Sequence, residues 1–207
     1  MKGETGLIDY GAGNLRSVYK ALVYLGANVR LVTRPEDLKG VRSVILPGVG
    51  AFADCSVALR NQELTEAVGK VTRQGTPFLG ICVGYQILFE RSEEFGSSES
   101  GLALFKGEVR RFPDIPGLKV PQIGWNQVEQ TAEKCPLFEG IPDKSYFYFV
   151  HSFHPVPDDH SIVAGVTEYG HRFAAAVWRD NVMATQFHPE KSQKTGLKLL
   201  ENFLKVS

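Results

Sequence analysis

Apolar residues in the first part of the chain form short continuous runs, each followed by a stretch where they recur with a helical period. Leu7-Ile8 lies in the first run, which stops at the turn-rich Asp9-Tyr10-Gly11-Ala12-Gly13-Asn14. From Leu15 the period changes. Val18, Ala21, Leu22 and Leu25 recur at i, i+3, i+4 and i+7, and Gly26 stands where a helix ends on a left-handed residue. Residues 29–32 and 43–46 predict two further strands, residues 64–71 a helix, and residues 78–81 a fourth strand feeding Cys82. Buried strands separated by amphipathic helices imply βαβ units, a parallel sheet and right-handed crossovers.

The second half reads differently. Residues 108–112, 123–128, 146–150, 162–166, 173–178 and 182–187 are strand-like, and Tyr169-Gly170 and Asp180-Asn181 carry hairpin signals. A closing helix from Thr195 shows Leu197, Leu200 and Leu204 as its apolar stripe, and residues 96–101 read as a mobile loop. The pattern predicts an α/β fold with an open, mostly parallel central sheet flanked by helices and additional antiparallel strands in the C-terminal half. With no repeat or linker in view, residues 1–207 are expected to form a single domain.

Composition narrows the partners. Twenty-three basic and 23 acidic side chains cancel, so no excess of cations exists to neutralise a nucleic-acid backbone. The opening Met1-Lys2-Gly3-Glu4-Thr5 lacks the layout of a signal peptide, and no apolar run is long enough to span a bilayer. Cys55, Cys82 and Cys135 are odd in number and far apart, without a C-x-x-C pair. A disulfide framework or structural zinc site is therefore not expected, and a reducing cytoplasm is the expected location.

The candidate chemistry centres on Gly80-Ile81-Cys82-Val83-Gly84, a cysteine at a strand-to-helix turn. The unpaired N–H groups and dipole of a helix start favour thiolate, and flanking glycines permit the tight turn of a nucleophile elbow. Taken alone, the pattern also fits a buried structural cysteine. Pro47-Gly48-Val49-Gly50 ends another strand, where open α/β sheets gather their ligands. Its backbone N–H groups, at Val49 in particular, together with that of Val83 fit an oxyanion hole; the same residues also fit a simple turn. A thiol nucleophile needs a base. Among the five histidines, only His188 ends a strongly apolar strand with a carboxylate close by, in His188-Pro189-Glu190. H-x-E also arises by chance, and zinc deaminases that share it require a P-C-x-x-C partner absent here. His154, His160 and His171 sit in polar surroundings and read as solvated. His151 ends the aromatic run 146–150, most simply a core strand.

Gly80 to Gln86 together with His188-Pro189-Glu190 resembles the class I (triad) glutamine amidotransferases. The likeness narrows to the glutaminase subunits of imidazole glycerol phosphate synthases through Asp9 to Asn14, Pro47 to Phe52, Leu88 to Glu94, Gly124-Trp125-Asn126, Tyr146 to Ser152 and Gln186 to Ser192. Val83 and Tyr85 replace the more usual Leu and Met beside the nucleophile, and Gln122 stands where many relatives carry His. The resemblance implies that Cys82 is the nucleophile, His188 the general acid/base and Glu190 its orienting carboxylate. It implies glutamine contacts at Gly50, Gln86, His151 and Ser152, and a partner face near Asn14, Trp125, Tyr148 and Lys191. Glutamine would be hydrolysed through a cysteine thioester without metal or cofactor. The ammonia would pass to a barrel-shaped cyclase subunit, a heterodimer partner that makes imidazole glycerol phosphate and AICAR in histidine biosynthesis. The rivals are the glutaminase of another synthase, such as anthranilate synthase or a surface-sugar aminating enzyme, and a non-catalytic regulatory module of the same fold.

Overall fold

In the computed structural model, which describes residues 3–11, 14–96, 98–132 and 134–206, the chain runs β1 (Glu4–Ile8), α1 (Leu15–Tyr24), β2 (Asn28–Val32), β3 (Ser43–Gly48), α2 (Phe52–Asn61), α3 (Leu64–Arg73), β4 (Phe78–Cys82) and α4 (Val83–Gln86). It continues through β5 (Arg91–Ser92), β6 (Gly107–Arg111), β7 (Gln122–Gln130), β8 (Ser145–His151), β9 (Phe153–Pro157), β10 (Val163–Glu168), β11 (Arg172–Arg179), β12 (Val182–Thr185) and α5 (Gln193–Val206). Ala12 and Gly13 of the expected turn, and Ser97 of the expected loop, lie outside the described residues.

Nine strands form one sheet in the order β2-β1-β3-β4-β12-β11-β10-β7-β8. Its first half is parallel, through β1 with β2 and β3, β3 with β4, and β4 with β12. From β12 onward every ladder is antiparallel. The switch has a local cause. Asp180-Asn181 forms a tight hairpin between β11 and β12, whereas parallel neighbours need the longer crossovers that helices provide. A second sheet, β5-β6-β9, completes the fold.

Of the periodic positions of α1, Val18, Ala21 and Leu22 are buried, Leu25 at the C-cap is half-buried, and Gly26 at φ 78° turns the chain out of the helix. Three elements depart from the sequence pattern. Helix α2 buries Phe52, Cys55, Ser56 and Leu59, a helical stripe disguised by a cysteine and a serine in apolar places. Strand β9 contains Pro155 and Pro157, which a central strand excludes; it lies at the edge of the small sheet, where a missing N–H costs nothing. In α5 the buried residues include Gly196, Leu199, Leu200 and Phe203, so the core face is rotated from the expected stripe and Leu197 and Leu204 are only half-buried.

Two of the histidines expected to be solvated are not. His160 is exposed, but His154 is buried in β9, with its ring 5.0 Å from that of Phe112 and its Nε2 3.0 Å from Nε2 of half-buried His171. Burial pushes His154 down to about 4, so it is a neutral core residue.

Candidate active site

The position of Cys82 follows from sheet register. Cys82 pairs with Gly48 across β3, while Ile81 pairs with Thr185 across β12 on the other side. All three strands are parallel, so the segments leaving their carboxyl ends meet: residues 49–50 after β3, α4 after Cys82, and residues 186–188 after β12. This is where open α/β sheets place ligands.

The turn at Cys82 is built from backbone packed on backbone. A Cβ on Gly48 would lie 2.6 Å from the Gly84 nitrogen, and one on Gly80 would lie 2.7 Å from the Gly84 oxygen. One on Gly84 would strike the Leu46 carbonyl. Cys82 itself has φ 57° and ψ −113°, a conformation that costs a non-glycine residue about 1–3 kcal/mol and is held by this packing. The strain sets the thiol at the start of α4. Only 4% of the residue is exposed.

His188 is fixed by its neighbours before its ring is considered. Its N–H donates to the Tyr148 carbonyl at 2.9 Å, and its own carbonyl accepts from the Ser192 hydroxyl at 2.6 Å. The ring Nδ1 lies 2.8 Å from Glu190 Oε1, and both side chains are almost fully buried. Nε2 has no hydrogen-bond partner within the chain, and the Cys82 sulfur is near enough to act on the charge of the ring. Burial opposes an imidazolium here, but the sulfur and the Glu190 carboxylate outweigh it and push His188 up to about 10. Asn14 Nδ2 also donates to Glu190 Oε1, at 3.4 Å, so this residue, expected at a partner face, reaches the carboxylate behind the imidazole.

Cys82 and His188 line one cavity of about 380 Å³ with Val49, Gly50, Val83, Gln86, His151, Ser152 and Lys191. Every residue expected to bind glutamine or an oxyanion therefore borders the same space, and Lys191, expected at the partner face, borders it too. Its ammonium lies 5.8 Å from the centre of the Tyr148 ring. The His151 ring is not a reacting group. It lies between the Phe153 carbonyl at 2.8 Å and Gln122 Oε1 at 3.0 Å, and burial pushes it down to about 3. Gln122, a departure from the family pattern, thus sits in contact with that ring.

Glu94 and Gln186 went unassigned in the sequence. Glu94 lines the cavity, accepts the Phe52 N–H at 2.7 Å and has its carboxyl raised by burial. Gln186 is completely buried beside the thiol. Both fall inside motifs that carried the family resemblance, but nothing local in the sequence aims them at the cavity. Trp125 is set apart from the cavity lining. It is 46% exposed on β7, opposite Tyr148 on β8, with the ring centres 6.0 Å apart. Among the described residues no group of three or more His, Cys, Asp or Glu is placed to hold a metal ion, and no described helix is long and apolar enough to cross a membrane.

A strained thiol, an imidazole braced by a carboxylate and a small cavity between them are the parts needed for acyl transfer from an amide. The family model for class-I glutamine amidotransferases matches residues 6–206, and the chain belongs to this enzyme family. Its relatives include two proteins named imidazole glycerol phosphate synthase subunit HisH. That of Desulfitobacterium hafniense is 52% identical over 96% of this chain and 92% of the relative. That of Herpetosiphon aurantiacus is 50% identical over 97% and 93%. Among solved structures, one titled as PurLQS from Thermotoga maritima matches with a TM-score of 0.79, covering 100% of this chain and 99% of that one. At 23% identity it shows a shared fold.

Proposed function

We propose that this chain is the glutaminase subunit of an imidazole glycerol phosphate synthase, serving throughout its length as a single amidotransferase domain. The observation that carries the catalytic part is the His188–Glu190 contact of 2.8 Å behind a cavity that Cys82 shares. The half-identical relatives named as HisH subunits support the choice of synthase.

In this reading the Cys82 thiolate attacks the side-chain carbonyl of glutamine. The Val83 N–H and an N–H of the 48–50 loop, at Val49, stabilise the oxyanion; each such donor is worth about 3 kcal/mol of barrier. Gly50, Gln86 and the backbone at His151 and Ser152 hold the substrate, and the Glu94 carboxylate suits its ammonium group. His188 gives its proton to the departing ammonia, leaving a glutamyl thioester. Acylation removes the sulfur's negative charge, one of the two influences that keep the imidazole protonated. The ring then accepts a proton from water, and hydrolysis releases glutamate and restores the thiolate.

Ammonia released into neutral water is protonated and loses its nucleophilicity, so the product needs a sheltered path to an acceptor. The proposed acceptor is a barrel-shaped cyclase subunit. Ile123 and Trp125 on β7 pair with Val150 and Tyr148 on β8, placing an exposed apolar strip beside the cavity. That strip, with Lys191 over the Tyr148 ring and Asn14 against Glu190, is the proposed docking face, and the cytoplasm is the proposed location.

Glutamine turnover by the purified chain, alone and with the cyclase and its phosphorylated nucleotide substrate, tests the assignment. Low turnover alone and a rise of about tenfold or more in the loaded complex are expected. Full activity in the isolated chain would contradict the partnered reading.

A further inference from the structure

We propose that Gln186 is a further catalytic residue, which holds the Cys82 sulfur in its nucleophilic form by donating a side-chain N–H to it. Gln186 is the first residue beyond β12 and is completely buried, with its backbone N–H bonded to the Ala175 carbonyl at 2.8 Å. Its side-chain Nε2 lies 3.8 Å from Cys82 Sγ, within reach of a bond to the large sulfur atom.

The neighbouring amide fixes which end of Gln186 faces the sulfur. Gln86 Nε2 donates to the Phe153 carbonyl at 2.9 Å and to Gln186 Oε1 at 3.2 Å. An amide NH2 carries two protons, and these contacts use both. Gln186 must therefore turn its oxygen toward Gln86 and its NH2 toward Cys82. The reverse orientation would set two NH2 groups against each other and a carbonyl lone pair against a thiolate, inside a buried site where neither finds water. Gln86 thus donates to both sides, to the Phe153 carbonyl and to Gln186, and Gln186 donates on to Cys82.

A donor in this place does what His188 does not. The imidazole gives its proton away during turnover, whereas the Gln186 amide keeps its own. A thioester sulfur is a poor acceptor and a thiolate a good one. The Gln186 bond therefore weakens on acylation and strengthens again as sulfur departs, favouring it as a leaving group when water attacks. The role deepens the glutaminase reading and rests on it only for this consequence for turnover.

The test needs no glutamine, so its failure and that of the glutaminase reading are distinguishable. The full chain and its Gln186→Met variant are alkylated with iodoacetamide across a pH series. Modification of the Cys82 peptide is followed by mass spectrometry, and melting curves check the fold. The pH of half-maximal alkylation should move upward, with a rate at neutral pH lower by about tenfold. An unchanged profile with only a lower melting temperature would reduce Gln186 to a structural partner of Gln86 and overturn the proposal. If the variant does not fold, the native chain still decides. The side-chain amide proton resonances of Gln186 should move as Cys82 titrates and should differ in Cys82→Ala. Resonances indifferent to both would overturn it.

Discussion

His188 and Glu190 meet at 2.8 Å across a single intervening proline, so the imidazole and the carboxylate that orients it come from one short turn. Glu190→Gln keeps the shape of that contact but removes its charge. Glutamine turnover in the complex should fall by about 10²- to 10⁴-fold, as when other triads lose their acid. The pH dependence of stability should change as well. His188 is raised from 6.5 to about 10 in the folded chain, so its stabilising protonation is complete below pH 6.5 and is lost as pH rises through about 10. Denaturant midpoints across that window should fall less steeply in Glu190→Gln than in the native chain.

The glycine packing beneath the nucleophile yields a structural prediction. Any side chain on Gly84 meets the Leu46 carbonyl, which belongs to the sheet and has little freedom to retreat. Gly84→Ala should cost about 3 kcal/mol or more of stability, read from denaturant unfolding, and glutamine turnover should be lost in whatever fraction still folds.

At acid pH the buried histidines act in the opposite sense to His188. Burial lowers His154 from 6.5 to about 4. Its contribution is therefore present above pH 6.5 and lost as pH falls through about 4. His154→Gln should flatten the acid limb of a stability profile measured by urea unfolding between those values, leaving the alkaline limb unchanged.

Trp125 tests the proposed docking face. It is 46% exposed, so Trp125→Ala should leave the melting temperature close to that of the native chain. Its affinity for the cyclase subunit, measured by calorimetry, should weaken by about thirtyfold, the scale of a central aromatic anchor. An unchanged affinity would move the interface elsewhere.

What was legible in the sequence was whatever is written locally. The glycines stand two residues either side of Cys82, His188 and Glu190 are two residues apart, and the helical period of α1 is plain from Leu15 to Leu25. Gln186 was not legible because its role depends on β12 lying beside β4 and on the orientation of an amide from α4. Glu94 was hidden for a similar reason, since its carboxylate reaches the cavity through a contact with the start of α2. His154 was misread because a strand containing two prolines looks like a loop until its place at a sheet edge is known.

The central claim is that Cys82 alone opens the route from glutamine to usable ammonia. The direct measurement is synthesis by the complex carrying Cys82→Ala, assayed once with glutamine and once with added ammonium salt at alkaline pH. Glutamine-dependent synthesis should vanish while ammonia-dependent synthesis continues at the native rate. Persistence of the glutamine-dependent reaction would contradict the account.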